Sequence, residues 1–218
     1  MTILEFQNVN YFSDDKAIIN GISLKINKGD YIYIVGPSGG GKSTFLKLCC
    51  HLISPTKGDI FYKGKNLLDY NPIELRKEIS YTFQTPYLFG DSISENIEFP
   101  FKTRNLQVDY EKVYSLMELF KINKDFLRKE VTNLSGGEKQ RIALIRNLLF
   151  KPEILLLDEV TSALDMENTE IVEDAINVLN KEGVTIVWVT HNIGQSRRNG
   201  NKIITIENGE IKSEEVLV

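Results

Sequence analysis

Tyr31-Ile32-Tyr33-Ile34-Val35-Gly36-Pro37-Ser38-Gly39-Gly40-Gly41-Lys42-Ser43-Thr44 is the stretch whose reading decides the fold. Its first five residues are β-branched or aromatic and read as a buried strand. The next run satisfies the pattern G-x-x-x-x-G-K-[ST], and a helix opens near Lys42. Glycines let such a loop bend until its N–H groups converge on phosphate oxygens, and the helix N-terminus adds partial positive charge. Residues 36–44 are therefore expected to cradle a nucleoside triphosphate, with Lys42 reaching its β and γ phosphates and the Ser43 hydroxyl serving Mg2+.

A phosphate loop needs a carboxylate at the end of another strand. Ile154-Leu155-Leu156-Leu157-Asp158-Glu159 supplies it. Four apolar residues give a strand buried on both faces, and Asp158 emerges at its carboxyl end, where open α/β sheets bind ligands. Asp158 is read as the second Mg2+ residue. Glu159 follows at once, placed to orient or deprotonate a water attacking the γ phosphate. The chain reads as an NTPase.

Leu134-Ser135-Gly136-Gly137-Glu138-Lys139-Gln140-Arg141 makes a second anion cradle: a hydroxyl and exposed N–H groups at a helix start. One chain binds one triphosphate yet carries two phosphate-binding surfaces. The economical reading is a head-to-tail homodimer, formed on ATP binding, in which each nucleotide is sandwiched between copies.

The rest of the chain sets the frame. It has 218 residues and a formal net charge of −4, too acidic for wholesale nucleic-acid binding. Its 42% apolar and 26% charged residues exclude a disordered tail or a fibre. No apolar run approaches the roughly 20 residues of a membrane helix, and residues 1–10 lack an apolar signal core. A cytoplasmic protein is expected. Further strands are expected at 3–8, 23–26, 59–62, 79–83, 184–189 and 202–207, with Asn208-Gly209 as a tight hairpin turn. Helices are expected at 42–52, 72–77, 110–121, 138–150 and 169–180. Asn71-Pro72 caps the second of these. Because 92–150 reads as mostly helical, the pattern is an α/β core interrupted by a helical insertion. Lys47, Leu48, Cys49, Cys50 and His51 hold metal-binding residue types, but adjacent helical side chains point about 100° apart, so a packing role is expected.

These residues resemble an ATP-binding cassette (ABC) ATPase over nearly the whole chain. Leu134 to Glu138 resembles the family's signature, and Gln84 falls at its Q-loop glutamine. Ser162-Ala163-Leu164-Asp165 resembles the D-loop, and Thr190-His191 the switch histidine. The resemblance implies a P-loop core with an antiparallel β subdomain, spanning 1–84 and 150–218. A helical subdomain spans 85–149. It implies that His191 contacts the γ phosphate, that Gln84 links Mg2+ and water to a membrane partner, and that Ser135, Gly136, Gly137 and Asp165 act across a dimer interface. The aromatic that stacks on adenine in the family falls at Ser13 here; Tyr11 or Phe12 is the stand-in, or packs in the core. Asn192 replaces a frequent Asp, and Val160 a common Pro.

With no span of its own, a transporter cassette needs a separate integral-membrane permease and sits peripherally on the cytoplasmic face of the cell membrane. Tyr87, Leu88 and Phe89 either line a groove for a permease helix or pack the helical lobe. The run from Thr85 to Ile97, with Ile53-Ser54-Pro55-Thr56, Ile97-Glu98-Phe99-Pro100 and Ile145-Arg146-Asn147-Leu148, is similar to the ATPase subunit of bacterial Fet-type iron exporters. That likeness implies iron export. A cassette for phosphate or another solute shares every catalytic motif and is the first rival. A non-transport cassette is the second, although such proteins usually carry fused cassettes, coiled coils or zinc modules, and none is seen here.

Overall fold

The computed structural model describes residues 1–14 and 16–217. Two sheets form. A four-stranded antiparallel sheet has the order β2-β1-β4-β5, from β1 (Thr2–Ser13), β2 (Lys16–Asn27), β4 (Lys57–Tyr62) and β5 (Lys65–Asn66). A six-stranded sheet has the order β10-β9-β3-β8-β7-β6, from β3 (Tyr31–Val35), β6 (Ile79–Thr82), β7 (Ile154–Asp158), β8 (Thr185–Val189), β9 (Lys202–Glu207) and β10 (Glu210–Val216). β3 pairs in parallel with both β8 and β9, and β8 with β7. Every residue of β7 and β8 is buried, as parallel strands covered on both faces require. This is the expected α/β class.

Seven helices are named: α1 (Lys42–Cys49), α2 (Pro72–Glu78), α3 (Ile93–Lys102), α4 (Tyr110–Leu119), α5 (Gly136–Leu148), α6 (Met166–Lys181) and α7 (Ile193–Asn199). The chain divides into two compact units. The first comprises Met1–Tyr81, Pro152–Glu159 and Leu179–Val218, the second Thr82–Lys151 and Val160–Val178. The second unit holds α3, α4 and α5, in line with the helical reading of 92–150, and residues 160–178 group with it.

Several boundaries differ from expectation for local reasons. α1 stops at Cys49 rather than 52 because His51 takes a left-handed φ of 53°. The His51 N–H then donates to the Leu48 carbonyl and Leu52 N–H to Lys47, which is a Schellman closure with histidine in the glycine position. α4 closes the same way at Lys121, through Ile122 N–H to Met117. Among the described residues, α6 uses glycine there, Gly183. α5 starts two residues earlier than expected because Ser135 and Glu138 cap each other reciprocally. The pieces that went unread include the first half of β2, the two-residue β5, the helix α3 with Pro100 in its last turn, and the short α7.

The core of the first unit joins its sheets to α1. Phe6 of β1 stacks on Phe45 of α1 at 4.8 Å between ring centroids. Cys49 and Cys50 lie fully buried in the same apolar cluster, and burial pushes the Cys50 thiol up to about 11, so both act as small hydrophobes. Glu153, just before β7, accepts from the Tyr62 hydroxyl at 3.0 Å and from Lys63 at 2.7 Å. Burial opposes the Glu153 charge, but the bonds from Lys63 and Tyr62 outweigh it and hold the carboxyl below its ordinary value. A depressed carboxyl stabilises the fold above its unfolded pKa, and that stabilisation is lost as pH falls through the folded one. Glu153→Gln is expected to lower unfolding free energy by about 1 kcal/mol at pH 7. The difference between variant and parent should shrink below pH 4.5, which urea titrations at several pH values would read.

Candidate nucleotide site

The phosphate loop leaves β3 between its two parallel partners. Gly36 has φ 138°, and a Cβ there would run into the Ile206 carbonyl of β9. Gly41, at φ 102°, packs its Cα against β2, where a Cβ would lie 2.7 Å from the Ile18 carbonyl. The Gly209 N–H, in the β9–β10 turn, donates to the Gly40 carbonyl at 3.0 Å. Asn208 and Gly209 both have positive φ, as the tight turn read from the sequence demands. The loop is thus gripped by two hairpins, chiefly through backbone atoms, with Ile19 Cδ1 also close to Gly41.

Lys42 opens α1 and is 4% exposed. Its ammonium donates to the loop's own Gly36 and Pro37 carbonyls, at 3.0 and 2.9 Å. Burial lowers its pKa, against the pull of Glu159 and Asp158. The next residue, Ser43, donates its hydroxyl to Asp158 Oδ1 at 2.9 Å. Asp158 is 6% exposed at the end of β7, and its other oxygen, Oδ2, accepts the Tyr81 hydroxyl at 2.6 Å. Burial first, and then this carboxylate, push the Tyr81 phenol far up, so it remains a donor. Tyr81 was not foreseen; nothing in the sequence marks a tyrosine three residues before Gln84.

Glu159 turns out of β7 at a left-handed φ of 50°, which costs a non-glycine residue about 1 kcal/mol or more. Its N–H donates to the Val189 carbonyl at 3.0 Å, and its Oε1 lies 2.9 Å from His191 Nε2. The register pairing Asp158 with Val189 is what sets these two loops side by side. His191 is 44% exposed and free to turn one edge to a ligand. Behind it, buried Thr190 donates to Gln195 Oε1 at 2.6 Å, and Asn192 caps α7 through Gln195 N–H. Asn192 does the capping work that an aspartate would do.

Tyr11 packs against the apolar cluster of the first unit, whereas its neighbour Phe12 is 40% exposed. Phe12 therefore offers the freer aromatic face. Ser13 ends β1 and is exposed.

In the second unit, Ser135 caps α5 and leaves the N–H groups of Gly136 and Gly137 at the first turn. A Cβ on Gly137 would lie 2.6 Å from Asn168 Cγ. Asn168 donates to Asp165 from both its backbone and its side chain, at 2.8 Å each. These bonds hold the Asp165 carboxyl below its ordinary value. Asn168 thus joins the first turn of α5 to Asp165, a link only the three-residue spacing from Asp165 hinted at. Gln84 is exposed and donates to Ser162 at 3.5 Å. Phe89 packs edge-on to Phe99 at 4.9 Å, under Arg146, while Tyr87 is 73% exposed. Of the three apolar residues read together, only Tyr87 stands clear.

The donor set fits Mg2+: hard oxygens of one hydroxyl and one carboxylate meet beside the phosphate loop, and this ion usually takes its other ligands from phosphates and water.

The sequence model of the ABC transporter family matches residues 19–162. The chain belongs to that family, and it is the ATP-binding subunit of such a system. It is 42% identical to a protein of Escherichia coli K12 named "Probable iron export ATP-binding protein FetA", over 94% of this chain and 91% of that one. It is 37% identical to the phosphate import ATP-binding protein PstB of Borreliella burgdorferi, over 97% of this chain and 86% of that one. The dimeric post-hydrolysis structure of the ATP-binding cassette MJ0796, bound to ADP and Pi, superposes with a TM-score of 0.88 at 31% identity, covering 99% of both chains. No helix among the described residues is long and apolar enough to cross a membrane.

Gly36→Ala should destabilise the fold by more than about 2 kcal/mol, since the new Cβ meets backbone rather than a movable side chain. An unchanged thermal midpoint would show that the loop is not gripped by β9 as described.

Proposed function

We propose that the chain hydrolyses ATP as a homodimer docked on the cytoplasmic face of a separate membrane permease, and that the cargo is iron, exported. The observation that carries the enzymatic part is the pairing of Glu159 with His191 at 2.9 Å, beside Asp158 and Ser43. The iron assignment is supported by the likeness to the E. coli iron-export protein.

Residues 36–44 bind the phosphates through backbone N–H groups and the start of α1. Lys42 exchanges its bonds to Gly36 and Pro37 for the β and γ phosphates, where it offsets charge gathering in the transition state. Ser43, Asp158 and Gln84 would hold Mg2+, which neutralises phosphate charge when bound. Glu159 takes a proton from water as the water oxygen attacks the γ phosphorus and the bond to the β–γ bridging oxygen breaks, giving ADP and phosphate. His191 keeps Glu159 aimed and presents its exposed edge to the γ phosphate. Ser135, Gly136 and Gly137 of a second copy close over that phosphate, with Asp165 beside them. Phe12 or Tyr11 faces the adenine. Closure of the dimer drives the permease and hydrolysis resets it; Tyr87, 73% exposed in the segment that follows Gln84, suits the permease contact.

Glu159→Gln should bind ATP with near-parental affinity, lose at least about a hundredfold in turnover, and elute as a dimer with ATP in size exclusion. Hydrolysis at the parental rate would remove Glu159 from its role. For the cargo, cells lacking the gene should accumulate iron after an iron load, and the parental gene but not the Glu159→Gln form should restore the lower level. Iron unchanged by the deletion would leave the ATPase standing and transfer the cargo search to phosphate, the solute of the second relative.

A further inference from the structure

We infer that Tyr81 is a positioning residue for the metal-site carboxylate, holding Asp158 in the one orientation that lets Ser43 and a divalent cation share its other oxygen. The inference rests on the assignment of Ser43 and Asp158 to the metal. A carboxylate turns on its Cβ–Cγ bond with a broad, two-fold preference, so one hydrogen bond does not orient it. Asp158 has two: Ser43 at Oδ1, 2.9 Å, and Tyr81 at Oδ2, 2.6 Å. The shorter bond, from a neutral hydroxyl to a charged acceptor, is of the strong class.

The two anchors are not equivalent. Ser43 sits in the first turn of α1, within the phosphate loop, and its oxygen is the one a cation would recruit. Tyr81 stands on β6, next to β7 in the sheet, and its ring packs against the apolar cluster of the first unit. A stiff side chain with two torsions, anchored at both strand and ring, keeps Oδ2 in place whatever Ser43 does. At 6% exposure Asp158 has almost no bulk water to substitute for a lost donor. Were Tyr81 merely satisfying its own hydroxyl, its removal would cost stability and leave the cation dependence of nucleotide binding untouched.

The test is Tyr81→Phe in the full chain, titrating binding of a fluorescent ATP analogue with Mg2+ and, separately, in EDTA. Loss of an outer partner of a metal ligand weakens metal affinity about tenfold or more. The Mg2+ midpoint should therefore rise about tenfold, while affinity in EDTA stays within about twofold of the parent, since the phosphate loop is unaltered. The midpoint does not depend on the fraction of active protein, so a loss of stability would not obscure it. A parental midpoint, or an equal loss of affinity in EDTA, would overturn the proposal. Asp158→Asn run alongside separates the two claims. If it too leaves the midpoint unchanged, the metal assignment itself fails; if it alone raises the midpoint, only the role of Tyr81 falls.

Discussion

Around the phosphate loop, backbone meets backbone at close range. A Cβ on Gly40 would lie 2.9 Å from the Ile206 carbonyl, and one on Gly209 2.5 Å from that of Ile18. Asn20 N–H donates to the Gly209 carbonyl, and Gly209 N–H to that of Gly40. Three segments far apart in sequence are thus locked at hydrogen-bonding distance, and glycines of the loop and of the β9–β10 turn are what allow the approach to Ile18 and Ile206. This grip orders the loop's N–H groups before any ligand arrives, so binding does not have to order them.

The second constraint is the register of the parallel strands. Pairing Leu157 with Trp188 and Asp158 with Val189 brings the two loops beyond them into contact. Glu159, turned by its left-handed backbone, then reaches His191. Residues 32 positions apart in the chain become a pair because β7 and β8 end together, and β3 beside β8 delivers the phosphate loop to the same edge. This is the general logic of open α/β sheets, whose ligands bind beyond the carboxyl ends of the strands.

How much of this was legible differs from residue to residue. The placement of Lys42, Ser43, Asp158 and Glu159 could be read because it depends on local order: a glycine loop ahead of a helix, a carboxylate after an apolar strand. The Asn71 cap and the Asn208-Gly209 turn were readable for the same reason. The extent of α1 was not, because its end depends on His51 accepting a left-handed conformation that glycine usually supplies. The first half of β2 escaped notice because Asn20-Gly21 breaks its apolar alternation. That break has a purpose, since Gly21 N–H donates to the Asn10 side chain at a bulge between β1 and β2.

The amino-acid sequence alone determined the class of fold, the phosphate loop, the carboxylates at the end of β7 and the cap of α2, since each is written in consecutive residues obeying local steric and hydrogen-bonding rules. Tertiary structure alone decided which partners those groups meet. Tyr81 on Asp158, His191 on Glu159, Asn168 between Gly137 and Asp165, and Ile18 and Ile206 beneath the loop all depend on strand register and chain crossings. No local pattern encodes such contacts, because they form only when segments distant in sequence are packed to within about 3 Å of each other.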